Sequence, residues 1–389
     1  MLPKRPNRFL YLVVGFLLKL VAVFKGQKYH HKLKIKGPAI TLSNHTSWYD
    51  FAYTFAAIYP SRTTFLAAEK MFKDPKMGFW LNLSKSVPKK LFRADPQSVL
   101  STFKLLKQNE IVSIFPEGQI STTGHPIPIS FAIAKLIKKA KVDVYVIAHE
   151  SACLVDPAWS KKSFRGKIYT EMKKILTSND LIHLSEKEIY DVIVNELAIN
   201  SDAVNQIKKR KFKGNNVKGL NNIIYHCNKC GHIGLEVHKN QLICPSCQHT
   251  RTYDYYGLLD GKTIHDTYYD QKQLFKAELD RDSSFSLKSD VILESYQDDL
   301  IKPLGEGEFT LSINGYHYQG TYKNQPLDIT IPIEDVPALP GDLGRNIQIY
   351  YKDEFYQFKL PIYYLPTQFI LFSELLYETK TGHQSTGVF

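Results

Sequence analysis

The sequence predicts an α/β domain, in which helices cover a sheet, followed by a small mainly-β, barrel-like domain that ends in a helix. Strand-like and helix-like segments alternate from about residue 32 to residue 205. From about Asp254 this alternation stops, and the two-residue periodicity of strands takes over. The chain has 389 residues, of which 43% are hydrophobic, so it is long enough for two or three domains with their own cores.

The α/β domain is assigned to residues 31–205. We predict strands at residues 32–36, 39–42, 64–67, 111–115 and 142–149, and helices at residues 51–57, 76–83, 97–107 and 129–139. The helix at 97–107 has the clearest pattern, because Val99, Phe103 and Leu106 repeat on one side. Ligands of such sheets bind beyond the ends of the strands, so polar residues at those places are candidates for a site.

Polar residues follow two of the predicted buried strands. His45 follows the second strand, and Asp50 comes five residues later. Asp50 can hold the imidazole in one tautomer, which leaves the other ring nitrogen free to take a proton. Glu117 and Gly118 follow the fourth strand. Taken singly, His45 is better explained as a core histidine, and Glu117 as a carboxylate at a helix N-terminus.

Together these segments resemble the signature motifs of the glycerolipid acyltransferase superfamily, of the 1-acyl-sn-glycerol-3-phosphate acyltransferase type. The first motif is the HxxxxD sequence within residues 44–50, and the third is Phe-Pro-Glu-Gly at residues 115–118. Lys90-Leu-Phe-Arg93 resembles the end of the second motif, and residues 142–148 stand where the fourth motif stands. The resemblance extends over about residues 30–155.

The resemblance implies an enzyme of phospholipid biosynthesis. It would transfer a fatty acyl group from acyl-ACP or acyl-CoA to 1-acyl-glycerol 3-phosphate (lysophosphatidate), which gives phosphatidate. His45 would be the general base and Asp50 its orienting partner, and the attacking hydroxyl group would belong to the acceptor lipid. The resemblance also implies a set of substrate-binding residues: Glu117, Gly118, Arg93 and Lys90.

Three departures from the family motifs concern the acceptor. The usual Thr-Arg after Phe-Pro-Glu-Gly is Gln119-Ile120, the Gly that opens the second motif is absent, and the fourth motif lacks its prolines. Ile120 cannot replace the bidentate phosphate contacts of an Arg. The residues that can compensate are Lys89, Lys90, Arg93 and His125. The alternatives are therefore another lysophospholipid or glycerol 3-phosphate as acceptor, or a degenerate acyltransferase fold that binds lipid or nucleic acid.

Residues 1–30 are predicted to form an N-terminal membrane-associating helix. The stretch from Phe9 to Phe24 is apolar apart from Gly15 and Lys19. As a helix it would be about 24 Å long, against a hydrocarbon core of roughly 30 Å. Residues 1–36 carry nine Lys or Arg and no acid, which suits an interfacial or re-entrant anchor. We predict a peripheral or monotopic protein on the cytoplasmic face of the cell membrane, with a buried core helix as the alternative.

Two pairs of cysteines, assigned to a module at residues 225–255, have the spacing C-x2-C-x13-C-x2-C. They are Cys227, Cys230, Cys244 and Cys247. This is the pattern of a tetrathiolate zinc ribbon, with a redox pair or disulfides as the alternatives. Four histidines lie near enough in sequence to substitute as ligands: His226, His232, His238 and His249. Four protein ligands leave no open position, so the predicted Zn²⁺ is structural.

A basic linker is assigned to residues 206–224. Residues 208–218 contain six Lys or Arg and no acid, in a chain whose net charge is +12. A basic run beside a zinc ribbon also suggests nucleic-acid binding. Phe212 is the one aromatic residue among the basic ones, so we do not expect nucleic acid as a partner. The predicted partners are the acyl donor, the lysophospholipid acceptor and the membrane surface.

The last domain is assigned to residues 256–389 and is rich in strand patterns. We predict strands at residues 309–313, 316–320, 328–333, 347–351 and 355–360, and a helix at residues 367–377. Asn314-Gly315 is typical of the turn in a hairpin. Meandering strands closed by one helix resemble a pleckstrin-homology-like barrel. Such folds bind lipids, peptides or other parts of the same chain, so the fold does not identify the ligand.

Overall fold

The computed structural model describes residues 7–90, 95–297, 300–352 and 354–385, and it divides into two compact units. The first unit contains the described residues up to Ala158 together with Ser163–Lys213. The second contains Trp159–Lys162 and the described residues from Gly214 onward. The finer division of the chain into an anchor, a linker and a separate ribbon stays a prediction.

The first unit alternates helices and strands along the chain. Its helices are α1 (Arg8–Phe24), α2 (Asp50–Ile58), α3 (Glu69–Lys73), α4 (Pro75–Leu83), α5 (Pro96–Lys107), α6 (Ala132–Ala140), α7 (Ala152–Val155), α8 (Asp180–His183), α9 (Glu186–Leu197) and α10 (Ser201–Lys208). Its strands are β1 (Gln27–His31), β2 (Ala39–Ser43), β3 (Thr63–Ala68), β4 (Val87–Lys89), β5 (Ile111–Ile114), β6 (Asp143–Glu150) and β7 (Ile168–Leu176). The predicted α/β domain is confirmed.

These strands form one sheet in the order β1-β7-β6-β2-β5-β3-β4. β2 to β6 run parallel to one another, whereas β7 runs antiparallel to β6. The carboxyl ends of the five parallel strands therefore lie at one edge of the sheet. His45, Lys89 and Glu117 stand at the ends of β2, β4 and β5, so the topology gathers them at that edge.

Apolar side chains cover both faces of this sheet. On one face, Val112 of β5 packs with Ile133 of α6 and Ile193 of α9. On the other face, Ile111 of the same strand packs with Ile58 of α2. Since the residues of β5 alternate between the two covered faces, all four of them are buried, as expected for a strand of a parallel sheet.

The strand predicted at residues 32–36 is wrong, because the first strand lies earlier in the chain. β1 pairs with β7 from Gln27, opposite Ile168. Leu33 and Ile35 pack in the apolar layer without belonging to a strand. The alternation of Lys and apolar residues at 32–36 therefore predicted which side chains are buried, but it did not predict where the backbone pairs with another strand. Sequence reasoning also missed β4, β7 and α9.

Helix α1 packs on α2 along one side and exposes apolar side chains on the other. A Cβ atom on Gly15 would lie 2.7 Å from the ring of Tyr59, so only glycine allows this approach. Phe9, Phe16 and Phe24 are 77%, 53% and 87% exposed. Among the helices of the described residues, none is long and apolar enough to cross a membrane.

The second unit begins with short elements around the cysteine pairs and continues as a large sheet. Its first strands are β8 (Glu236–His238), β9 (Gln241–Ile243), β10 (Thr250–Thr252), β11 (Leu258–Leu259) and β12 (Lys262–Thr263), followed by α11 (Ile264–Arg281). The remaining elements are β13 (Leu287–Gln297), β14 (Leu300–Ser312), β15 (Gly315–Tyr322), β16 (Gln325–Ile331), β17 (Gly341–Asp342), β18 (Asn346–Tyr351), β19 (Glu354–Lys359) and α12 (Leu365–Thr381).

Strands β13 to β19 form an antiparallel sheet in the order β16-β15-β14-β13-β19-β18-β17. It consists of a four-stranded and a three-stranded meander joined through β13 and β19. Phe369, Phe372 and Leu376 of α12 are fully buried. The predicted β-rich domain with a C-terminal helix is thus confirmed. The hairpin turn lies one residue earlier than predicted, because Ser312 pairs with Gly315.

Candidate active site and metal centre

His45 and Asp50 meet at the start of α2. The Nδ1 atom of His45 lies 3.2 Å from Oδ2 of Asp50. The same carboxylate oxygen accepts hydrogen bonds from the backbone N–H groups of Thr46 at 2.6 Å and Ser47 at 2.8 Å. Asp50 therefore holds both the imidazole and the turn that carries it.

The imidazole of His45 is fixed but reachable. The Asp50 side chain is fully buried, whereas 20% of the His45 side chain is exposed. The imidazole stacks on Phe115, with ring centroids 4.4 Å apart, and Phe115 lies in turn against Phe65. Since Nδ1 is held by the carboxylate, Nε2 is the atom on which His45 can accept a proton.

Glu117 lies behind the same histidine. Its Oε1 atom accepts a hydrogen bond of 2.9 Å from the backbone N–H of His45. Burial raises the pKa of Glu117 to about 8, and the charge of Asp50 adds to this, while the backbone N–H groups of His45 and Ile127 oppose it. At neutral pH this carboxyl group is therefore mostly protonated. Gly118, the next residue, has a φ of 71°, which places it in the left-handed region that favours glycine.

The loop after Glu117 holds the other side of the His45 backbone. The N–H of Ser121 donates to the His45 carbonyl oxygen at 2.8 Å. The Ser121 hydroxyl donates to the carbonyl oxygen of His125 at 2.5 Å, and Nε2 of His125 lies 2.9 Å from Asp202 Oδ2. His125 was expected to compensate for the missing Arg of the third motif, and the structure pairs its imidazole with Asp202.

A second histidine, His149, lies fully buried in the same unit. Burial lowers its pKa to about 4, with Asp50 opposing and His45 adding to the shift, so its ring is neutral at physiological pH. Its ring nitrogens contact the hydroxyl groups of Thr54 at 2.8 Å and Thr170 at 3.0 Å. No sequence motif pointed to His149, because its partners come from two distant elements, α2 and β7.

The predicted phosphate-binding residues are only partly described. Lys89 ends β4 and is 6% exposed, and burial lowers its pKa, with Asp95 opposing. Lys90 is exposed, and its backbone N–H donates to Asp95 Oδ2 at 2.9 Å. Arg93 lies outside the described residues.

The four predicted zinc ligands come together in the second unit. The Sγ atoms of Cys227, Cys230, Cys244 and Cys247 all lie within 4.8 Å of one another. The Cys227–Cys247 and Cys230–Cys244 sulfur pairs are 3.7 and 3.6 Å apart. In a tetrahedron with Zn–S bonds of about 2.3 Å the sulfur atoms lie roughly 3.8 Å apart, so this arrangement fits zinc.

Two equivalent turns present these thiols. The N–H of Gly231 donates to the Cys227 carbonyl, and the N–H of Gln248 to the Cys244 carbonyl, both at 2.9 Å. Each N–H donor has a positive φ, 77° for Gly231 and 58° for Gln248. The repeated geometry shows two knuckles of the same construction, which is what two C-x2-C pairs of a ribbon require.

Comparisons with known proteins show what this chain is similar to. Residues 23–150 match the family model described as Acyltransferase. The chain is 26% identical over 163 residues to a 1-acyl-sn-glycerol-3-phosphate acyltransferase of Bacillus subtilis (strain 168), which covers 42% of this chain and 75% of that protein. It is also similar to the crystal structure of the 1-acyl-sn-glycerophosphate (LPA) acyltransferase PlsC of Thermotoga maritima. That match has 18% identity and a TM-score of 0.43, and it covers 52% of this chain and 83% of the other.

The matched segment contains the residues that form the candidate active site. His45, Asp50 and Glu117 all lie within residues 23–150. The first unit therefore contains the segment that matches the Acyltransferase family model. Asp202, by contrast, lies outside this segment, and the motifs gave no indication of it.

Proposed function

We propose that this protein transfers a fatty acyl group from acyl-ACP or acyl-CoA to 1-acyl-glycerol 3-phosphate, giving phosphatidate. The observation that carries the proposal is the contact of His45 Nδ1 with Asp50, beside a Glu117 that binds the His45 backbone. This geometry supports a general base whose free nitrogen is Nε2. The relative in Bacillus subtilis supports the choice of acceptor.

In the proposed reaction His45 acts on the hydroxyl group of the acceptor. Nε2 takes the hydroxyl proton while the oxygen attacks the thioester carbonyl carbon, which forms a tetrahedral intermediate. Collapse of the intermediate breaks the carbon–sulfur bond, and the imidazolium returns the proton to the leaving thiolate. Asp50 stabilises the imidazolium through Nδ1–H. No protein nucleophile is needed, because the hydroxyl group of the acceptor attacks the thioester itself.

The acceptor is proposed to lie along the Glu117 side of the site. A protonated Glu117 can donate a hydrogen bond to a glycerol oxygen, and the left-handed backbone of Gly118 lets the chain turn close to it. Lys90 and Arg93 are proposed to hold the phosphate, in place of the Arg that the third motif lacks at Ile120.

Ile120 also favours a second candidate acceptor. Without the bidentate contacts of an Arg, the site should be less selective for a phosphate monoester. Another lysophospholipid or glycerol 3-phosphate is therefore the alternative acceptor. A degenerate fold that only binds lipid or nucleic acid is disfavoured by the intact pairing of His45 and Asp50.

We further propose that α1 attaches the protein peripherally to the cytoplasmic face of the cell membrane. The exposed Phe9, Phe16 and Phe24 support an interfacial helix that lies on the leaflet, and Lys and Arg around it suit anionic headgroups. Such a surface would bring a lipid acceptor directly to the enzyme.

The second unit is proposed to bind one structural Zn²⁺ through its four thiolates. The sulfur spacings support this assignment. Four protein ligands would leave no open coordination position, so the metal would only hold the two knuckles together. We also propose that β13 to α12 form a pleckstrin-homology-like domain, which the two joined meanders and the final helix support. Nucleic acid is not proposed as a partner.

A panel of acceptors and donors tests the proposed reaction. Purified protein is incubated with lysophosphatidate, other lysophospholipids and glycerol 3-phosphate, each with acyl-ACP and with acyl-CoA. Mass spectrometry of the products should give phosphatidate from lysophosphatidate at the highest kcat/KM. A higher value for another acceptor would replace lysophosphatidate, and no transfer with any pair would refute the activity.

A further inference from the structure

Lys25, at the end of α1, contacts the part of the chain that carries Asp50. Its ammonium group lies 2.6 Å from Oδ1 of Asp156 and 3.8 Å from the centre of the Tyr49 ring. It also donates to the Ser163 hydroxyl group. The Lys25 side chain is 20% exposed and that of Asp156 4% exposed, so the ion pair is largely withdrawn from water.

Asp156 links Lys25 to α2. Its second oxygen, Oδ2, accepts a hydrogen bond of 2.6 Å from the hydroxyl group of Tyr53, which is fully buried. Burial raises the pKa of Tyr53 far above its usual value, and the charge of Asp156 adds to this, so the hydroxyl group stays a donor. Lys25 thus holds α2 at Tyr49 directly and at Tyr53 through Asp156.

These two tyrosines lie on either side of Asp50. Tyr49 is the residue before Asp50, and Tyr53 follows it by three residues, which is about one helical turn. Asp50 lies at the first turn of α2, where its Oδ2 atom must meet the imidazole of His45 and two backbone N–H groups. A small rotation of this turn would disturb all three contacts together.

We propose that Lys25 is a positioning residue, through which α1 fixes the first turn of α2 and so the Asp50 carboxylate against His45. The role of this contact in catalysis rests on the proposed acyl transfer, while its structural part does not. Lys25 touches no reacting atom. Its effect is on the alignment of the base, where displacements of about 1 Å can cost up to a hundredfold in rate.

Hydrogen exchange measures the alignment without any assay of activity. The N–H groups of Thr46 and Ser47 bond to Asp50 Oδ2, so their exchange reports on the position of that carboxylate. Lys25→Met should speed exchange in peptides that cover residues 44–53 by about tenfold. Lys28→Met, which removes the same charge from an exposed position on β1, should leave these peptides unchanged.

Two further variants separate the contact from general loss of structure. Tyr53→Phe deletes only the hydroxyl group that binds Asp156 and should speed exchange in the same peptides. Lys25→Arg keeps the charge and should restore slow exchange. Wild-type exchange rates at residues 44–53 in both Lys25→Met and Tyr53→Phe would overturn the proposal, whether or not the protein transfers acyl groups.

The kinetic arm tests whether the alignment matters for the reaction. With phosphatidate formation as the readout, Lys25→Met should lower kcat by about ten- to a hundredfold with little change in either KM, and Lys25→Arg should recover most of it. Faster exchange with unchanged kcat would refute the positioning role while leaving the acyl transfer itself intact. Absence of acyl transfer in the wild type would instead refute the proposed function. The exchange data would still show whether Lys25 positions the Asp50 carboxylate.

Discussion

At the scale of single residues, one oxygen atom organises the candidate base. Asp50 Oδ2 binds the imidazole of His45 and two backbone N–H groups, while the Asp50 side chain is completely buried. The carboxylate is thus part of the turn itself as well as a partner of the imidazole. A side chain without an oxygen atom at this position should therefore affect both the tautomer of His45 and the turn.

Asp50→Asn should lower kcat by about ten- to a hundredfold, because an amide keeps the shape of the turn but stabilises an imidazolium less well. The loss should be smaller than that caused by removal of His45. Steady-state rates of phosphatidate formation check this, with thermal unfolding as the control for the fold. A variant as active as the wild type would exclude Asp50 from orienting the base.

Glu117 should make the stability of the protein depend on pH. Its pKa is about 8 in the folded chain against an ordinary value of 4.5, so the folded state holds a proton that the unfolded state loses. The stabilisation from this group is fully present below pH 4.5 and is lost as the pH rises through 8. Each unit of the pKa shift corresponds to about 1.4 kcal/mol.

Urea unfolding between pH 5 and 9 tests this with Glu117→Gln, whose side chain stays neutral. Across this range the wild type should lose up to a few kcal/mol of unfolding free energy relative to the variant. Parallel pH profiles for the two proteins would show that Glu117 is ionised in the folded state at neutral pH.

Sequence patterns identified the residues of this site that lie in short local motifs. His45, Asp50 and Glu117 each follow a buried strand, so their order and spacing predicted a shared edge of the sheet. The hydrogen bond of Ser121 to the His45 backbone could not be predicted in this way, since it depends on the path of a loop. The same holds for Asp202, which reaches His125 from a helix 77 residues away.

At the scale of elements, one side of α1 packs against α2 and the other side is exposed. Gly15 faces α2 at a distance that excludes any larger side chain, whereas Phe16 beside it is 53% exposed. The sequence predicted an apolar helix, but the division into a packed and an open side depends on where α2 lies. Adjacent substitutions should therefore have different effects.

Gly15→Val should destabilise the first unit by about 1–3 kcal/mol, because the new side chain overlaps the ring of Tyr59. Phe16→Ala should change stability by less than about 0.5 kcal/mol but weaken binding to anionic vesicles. Urea unfolding and vesicle flotation on both variants measure the two effects. Undiminished flotation of Phe16→Ala would argue against the exposed side as the membrane contact.

Some strands of the β-rich sheet could be predicted from the sequence and others could not. The alternating residues of β15 and β18 predicted strands correctly, as did the apolar face of α12. β13 escaped notice although it joins the two meanders through its pairing with β19. Its residues 287–297 include Glu294, which is buried, so the simple alternation of exposed and buried residues breaks down there.

At the scale of the whole molecule, the candidate chemistry and the candidate metal lie in different compact units. His45, Asp50 and Glu117 belong to the first unit, and the four cysteines belong to the second. The first unit has its own apolar layers on both faces of its sheet. Loss of the metal should therefore leave the first unit folded.

Elemental analysis should find one zinc ion per chain, and replacement of both Cys227 and Cys230 by Ser should abolish it. The double variant should unfold locally around the knuckles and keep acyl transfer if it stays soluble. Cys153→Ala, which removes the buried thiol of the first unit, should retain zinc. A soluble, folded double variant without any transfer would contradict the separation of the two roles.

The proposed role of His45 as the base of an acyl transfer can be measured through the rate of product formation. Phosphatidate release is measured for the wild type, for His45→Ala and for His183→Ala, which changes an exposed histidine of the same unit. His45→Ala should lower kcat by about two to four orders of magnitude, and His183→Ala should leave it unchanged. A kcat of His45→Ala equal to that of the wild type would contradict the proposed role.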